Sequence, residues 1–60
     1  MIIKSEIKPG ARFLDTATGN EIEIEKIWYN KVYFVNVDGV VHWITTSEAI
    51  ERFEHIPFKN

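Results

Sequence analysis

The sequence predicts an all-β domain of five short strands, with one short helical turn before the last. Three observations carry this. Runs rich in β-branched and aromatic residues recur at close spacing. Turn-forming pairs such as Pro9-Gly10 and Asp38-Gly39 stand between them. A single stretch, Thr45 to Phe53, carries the caps and spacing of a helix.

Taken in order, "KPG" (8–10) is a turn, because Pro presets φ and Gly accepts positive φ. "ARFLD" (11–15) follows as a short strand, and "TATGN" (16–20) has the composition of a hairpin loop. "EIEIEKIWY" (21–29) starts in strict alternation, with Glu21, Glu23 and Glu25 on one face and Ile22 and Ile24 on the other. Ile27 then falls out of step. That slip predicts a β-bulge near Glu25 and Lys26, which would bend the strand as a barrel requires.

Asn30-Lys31 reads as a tight turn, and "VYFVNV" (32–37) is the strongest strand signal in the chain. Asp38-Gly39 is a hairpin turn with "VVHWIT" (40–45) as the partner strand. In "TTSEAIERF", Thr45 and Glu48 have the capping-box spacing, and Ser47 could cap a shorter turn. Ala49, Ile50 and Phe53 share one side, while Glu48 and Arg52 sit four apart on the other. "EHIPF" (54–58) resumes strand character, and Pro57 confines it to an edge or a strand end.

Sixty residues are read as one domain, 1–60. A chain this short buries only about 60% of its unfolded surface, so its core is marginal and association with another chain is expected to help. There is no cysteine, hence no disulfide and no thiolate metal site. Apolar residues at 45% are ample for a globular core. The net charge of −2 and the scattered Lys and Arg lack the basic stripe of a typical nucleic-acid binder. No run is apolar enough to span a membrane, and the apolar start of "MIIKSEIKPG" is too short for a signal peptide. The expected location is cytoplasmic.

The hairpin across Asp38-Gly39 poses the main question. A two-residue turn pairs Val35 with His42 and Phe34 with Trp43. One extra residue in the turn pairs Val35 with Val41, Tyr33 with Trp43, Phe34 with His42 and Val32 with Ile44. A one-step slip exchanges the faces. In either register both faces are apolar, whereas the outward face of a small barrel should alternate to polar. The second face therefore needs a cover: Ile2, Ile3 or Phe58, the helix, a second copy of the chain, or another protein.

Glu21, Glu23 and Glu25 form a carboxylate stripe with neighbours about 7 Å apart. The simplest role is to face water and discourage strand pairing at an edge. A functional role is an acidic surface for a basic partner, or a phosphate mimic. Trp28, Tyr29, Phe34 and Trp43 are the candidate apolar anchors for a protein partner. With Tyr33 they could instead stack nucleic-acid bases, with Lys26, Lys31 and Arg12 along the phosphates.

His42 and His55, the only histidines, could meet with Glu51 or Glu54 to hold a metal, but no close ligand spacing is present. No G-x-S-x-G and no Gly-rich phosphate loop occurs, and Ser47 stands where a cap is wanted. A chain this small has little room for a ligand pocket of about 300–1,000 Å³. No cofactor and no catalytic residue are expected.

The order of elements resembles the five-stranded SH3-like barrel, in which a short helical turn separates the last two strands. The residues carrying the likeness are "KPGARFLD", "TGNEIEIEKI", "KVYFVNVDG" and "SEAIERFEHI". The chain is similar to the small SH3-like proteins of phages and prophages, which implies a regulator or inhibitor acting on a host factor by protein contact. It also resembles KOW-type modules, whose first loop carries a Gly-centred motif for RNA or protein contact. Gly19 matches that glycine, flanked here by Asp15 and Glu21. A third likeness, to plasmid-encoded dihydrofolate reductases, implies an enzyme whose site forms at a subunit junction. There Val41-His42-Trp43-Ile44 stands in place of that family's Val-Gln-Ile-Tyr.

Overall fold

The computed structural model describes residues 1–57. The strands are β1 (Arg12–Asp15), β2 (Asn20–Trp28), β3 (Lys31–Val35), β4 (Val41–Thr45) and β5 (Phe53–Glu54). Helix α1 (Thr46–Arg52) separates β4 from β5, and a 3-10 turn, Lys4–Glu6, precedes β1. All strands join one antiparallel sheet in the order β4-β3-β2-β1-β5. The sheet curls into a half-barrel. Its edge strands β4 and β5 do not pair with each other, so the curl expected of a barrel is present without the closure.

Local sequence sets most of this. The Lys8–Ala11 turn closes with Ala11 N–H donating to the Lys8 carbonyl at 3.1 Å, and Gly10 takes φ +90°. The bulge falls at Glu25, because Ile24 pairs with Phe34 while Lys26 pairs with the next residue, Tyr33. Before the bulge the even-numbered residues Ile22 and Ile24 face inward. After it, Lys26 faces outward with Tyr33, and Ile27 lies opposite Val32. The bulge thus accounts for the broken alternation of β2.

The β3–β4 hairpin adopts the longer-turn register: Val35 opposite Val41, Phe34 opposite His42, Tyr33 opposite Trp43, and Val32 opposite Ile44. The connection 36–40 is held by Asn36 N–H to the Val40 carbonyl, Gly39 N–H to the Asn36 carbonyl, and Val40 N–H to the Asp38 carboxylate. Phe34 lies opposite the buried Ile24 of β2 and points into the core, 1% exposed. Its expected role as a surface anchor is corrected on this ground, since a side chain sealed in the core touches no partner.

The core gathers Ile2, Ile7, Phe13, Ile22, Ile24, Val32, Phe34, Ala49 and Phe53. Phe34 meets the edge of Phe53 with centroids 5.2 Å apart, and Phe13 stacks on Phe53 at 6.2 Å. Each such side chain contributes about 1.5–3 kcal/mol by leaving water. The N-terminal segment supplies Ile2 to this core, tied by Ile2 N–H to the Ile50 carbonyl at 3.1 Å. Ile2 thus covers the inner face and leaves the outer face of β3–β4 bare, while Ile3 remains 63% exposed. Phe58, the other residue named as a cover, lies outside the described residues.

Helix α1 starts with the capping box expected of Thr45 and Glu48. Glu48 N–H donates to the Thr45 hydroxyl at 3.3 Å, and Thr45 N–H donates to the Glu48 carboxylate at 3.2 Å. The Thr45 N–H first, and then the Thr45 hydroxyl donating to the same carboxylate at 2.9 Å, lower the pKa of Glu48. The last strand begins earlier than "EHIPF" suggested, at Phe53, because Phe53 is needed in the core opposite Asp15.

Candidate functional site

The curl gives the sheet a packed inner face and a bare outer one, and the outer face of β2, β3 and β4 holds most of the candidate residues. Register arranges them in rows. Glu23, Val35 and Val41 lie side by side, then Lys26, Tyr33 and Trp43, then Trp28, Lys31 and Thr45. Trp28 is 57% exposed and Trp43 52%. The Lys31 ammonium sits over the Trp43 ring, and that of Lys26 over the Tyr33 ring, each 4.9 Å from the centroid. These cation–π contacts shield part of the aromatic surface and hold positive charge on it.

At the turn between β2 and β3, Tyr29 packs against Trp28 with ring centroids 5.1 Å apart. Tyr29 is 83% exposed and has φ +57°, a left-handed conformation that costs energy for any residue with a Cβ. The turn comprises Tyr29 and Asn30, because Trp28 pairs with Lys31. This is one residue earlier than the sequence suggested.

The acidic stripe divides. Glu21 and Glu23 lie on the outer face beside β1, opposite Leu14 and Arg12, while Glu25 is the bulged residue. Arg12 ion-pairs with Glu21 at 3.3 Å between half-exposed side chains, so it contributes little to stability. Its charge is thereby committed to the acidic half of the face, apart from the Lys26 and Lys31 half. Of the three candidate basic residues, the fold groups only Lys26 and Lys31 with aromatics.

The histidines go to different places. His42 stacks on Phe34 with centroids 5.7 Å apart, at an open depression shared with Thr18, Ile44 and Arg52. His55 binds the Glu6 carboxylate at 2.5 Å and tilts against Phe13. Among the described residues, no group of three His, Asp or Glu side chains is placed to hold a metal ion. The Ile3 backbone N–H first, and then His55, lower the pKa of Glu6.

Among the described residues, sequence reasoning missed the one fully enclosed charge. Asp15 is 0% exposed. Arg52 grips its carboxylate through Nε at 2.6 Å and Nη2 at 2.7 Å, and the Ala17 N–H adds a bond at 3.0 Å. Burial alone would raise the Asp15 pKa. The Arg52 hydrogen bonds, the Ala17 N–H and the Arg52 charge outweigh it, so the pKa is lowered. The signal was an acid at an inward strand position, the last residue of "ARFLD". Arg52 also lies over the Phe34 ring at 5.8 Å, which joins this pair to the core.

Among the described residues, the open depressions beside Arg12, His42 and Ser47 join no nucleophile to a base within hydrogen-bonding reach. The outer face carries exposed aromatics, with lysine over two of the rings and glutamate toward β1. Comparison of the chain with family models, with curated proteins and with solved structures returned no match. No helix among the described residues is long and apolar enough to cross a membrane.

Proposed function

We propose that this chain is a non-enzymatic protein-protein interaction module of SH3-like type. It acts through the outer face of β2–β4 as a phage-type regulator or inhibitor of a host factor. The antiparallel five-strand order and the helical turn before β5 support the SH3-like reading. The observation that carries the function is the exposure of Trp28, Tyr29 and Trp43 on a face that no described element covers. Exposed aromatics in a cluster are the residues that anchor protein interfaces. Glu21, Glu23 and Glu25 add charge complementarity toward a basic partner.

The test is capture from bacterial lysate. Wild type is expected to retain a protein that Trp28→Ser and Trp43→Ser lose while circular dichroism stays unchanged. Glu23→Lys is expected to weaken capture in a salt-dependent way. Retention by both serine variants at the wild-type level would refute the assignment of this face.

A second reading is favoured by one observation: Lys26 and Lys31 lie directly on Tyr33 and Trp43. That pairing suits a KOW-like nucleic-acid contact, with bases stacked on rings beside a phosphate-binding cation. Binding of single-stranded RNA or DNA that falls steeply with salt, and is lost in Lys31→Ala, would select it. No binding at low salt would eliminate it.

A further inference from the structure

We propose that the free edge of β4 pairs with β4 of a second copy of the chain. The strands run antiparallel and set Val41 of one protomer opposite Trp43 of the other. The proposal rests on the reading of the outer face as a contact surface and assigns its β4 margin to a second copy.

The ladder between β3 and β4 fixes which backbone groups are free. Asn36 N–H donates to the Val40 carbonyl at 3.2 Å at one end, and Thr46 N–H to the Asn30 carbonyl at 2.8 Å at the other. Antiparallel pairs alternate between bonded and non-bonded. His42 and Ile44 therefore direct their backbone groups at Phe34 and Val32, while Val41, Trp43 and Thr45 direct theirs away from β3. Thr45 is already occupied, since its N–H is taken by Glu48 in the helix cap. The N–H and C=O of Val41 and Trp43 have no backbone partner among the described residues.

The edge is also undefended. Natural edge strands are blunted by charge, proline, bulges or shortness. β4 has no Asp, Glu, Lys or Arg, no proline, and an unbroken register with β3. The opposite edge contrasts with it: β5 is two residues long, ends in Glu54, and is followed by Pro57.

The occupant is chosen by self-complementarity. A two-fold axis through His42 pairs Val41 with Trp43 of the second copy, and Trp43 with Val41. Every free group of the two edges is then bonded. Sliding the copies so that Trp43 meets Trp43 would set Val41 against Thr45, whose N–H is already committed. In the favoured register, the half-exposed Val41 and Trp43 side chains on the outer face cover one another twice over. Aromatic against β-branched is a favourable cross-strand pair. His42 then faces His42 in the non-bonded pair between them.

The chain has no cysteine, so a single introduced thiol reports the register without interference. Wild type is expected to sediment as a concentration-dependent dimer. His42→Cys is expected to oxidise to a covalent dimer about tenfold faster than Trp43→Cys. Directly opposed non-bonded Cα atoms lie about 4.5 Å apart, within disulfide range, whereas diagonal ones exceed about 7 Å. Val41→Pro removes an edge donor without touching the β3 ladder. It should leave circular dichroism unchanged and weaken self-association about tenfold.

Equal cross-linking from positions 42 and 43 would overturn the register. A wild type that stays monomeric at about 1 mM would overturn the second copy. If that monomer still captures a protein through Trp28, the interaction module stands alone. If it captures nothing, both readings fall.

Discussion

Phe34 and Trp43 are large aromatics on neighbouring strands of one hairpin, and the fold treats them oppositely. Phe34 packs edge-on against Phe53, carries Arg52 over its ring and His42 against it, and leaves no appreciable surface in water. Trp43, one strand over and on the other face, keeps half its surface exposed, with a lysine ammonium across it. On the closed side even the charges are finished off, since Asp15 has a bonded partner for each oxygen. On the bare side, apolar surface and backbone groups are left available. Stability is concentrated on the first side and the capacity for contact on the second.

This contrast breaks most directly at Phe34. Phe34→Ala is expected to cost about 3–5 kcal/mol, a large fraction of the stability of any small domain, and urea unfolding should show it. Trp43→Ser should move the midpoint far less, because its ring is half in water already. Equal losses would erase the distinction between the two sides.

Asp15 gives the next largest effect. Asp15→Ala leaves the Arg52 guanidinium without its partner and is expected to cost about 3 kcal/mol. The pH dependence sharpens the point. A carboxylate whose folded pKa is lowered adds stability that is fully present above its unfolded value of about 3.9 and is lost as pH falls through the folded value. Wild type should therefore be more stable than Asp15→Asn at neutral pH, and the gap should narrow below about pH 4. A gap that stays constant from pH 7 into acid would show that charge pairing at Asp15 contributes nothing.

The smallest effect is expected at the exposed ion pair. Arg12→Ala should change stability by less than about 1 kcal/mol, and the change should vanish at high salt.

Much of the fold was legible because local rules were unopposed. The Lys8–Gly10 turn, the bulge near Glu25 and the Thr45–Glu48 box each follow from a few neighbouring residues, and each forms where expected. The facing of β3 was not legible. "VYFVNV" is apolar on both parities, so no hydrophobic pattern distinguishes Phe34-in from Tyr33-in. The pairing with β2 decides it, because Phe34 lies opposite the inward-facing Ile24. That is why Phe34 was placed among the surface anchors and Tyr33 was not. Ile2 was legible as a cover but not as part of the inner core, because its placement depends on a backbone bond to Ile50, far away in the chain. The Asp15–Arg52 pair is likewise non-local, and no spacing rule links positions 37 residues apart.

The bulge at Glu25 has a reach well beyond its own turn of backbone. Because strand side chains alternate, everything between Lys26 and the next turn owes its orientation to that single residue standing outside the ladder. Were Glu25 to pair in regular alternation instead of bulging, Ile27 would turn toward water and Lys26 and Trp28 toward the core, with no letter of the sequence changed. The backbone geometry at one residue thus sets the chemical character of an entire surface.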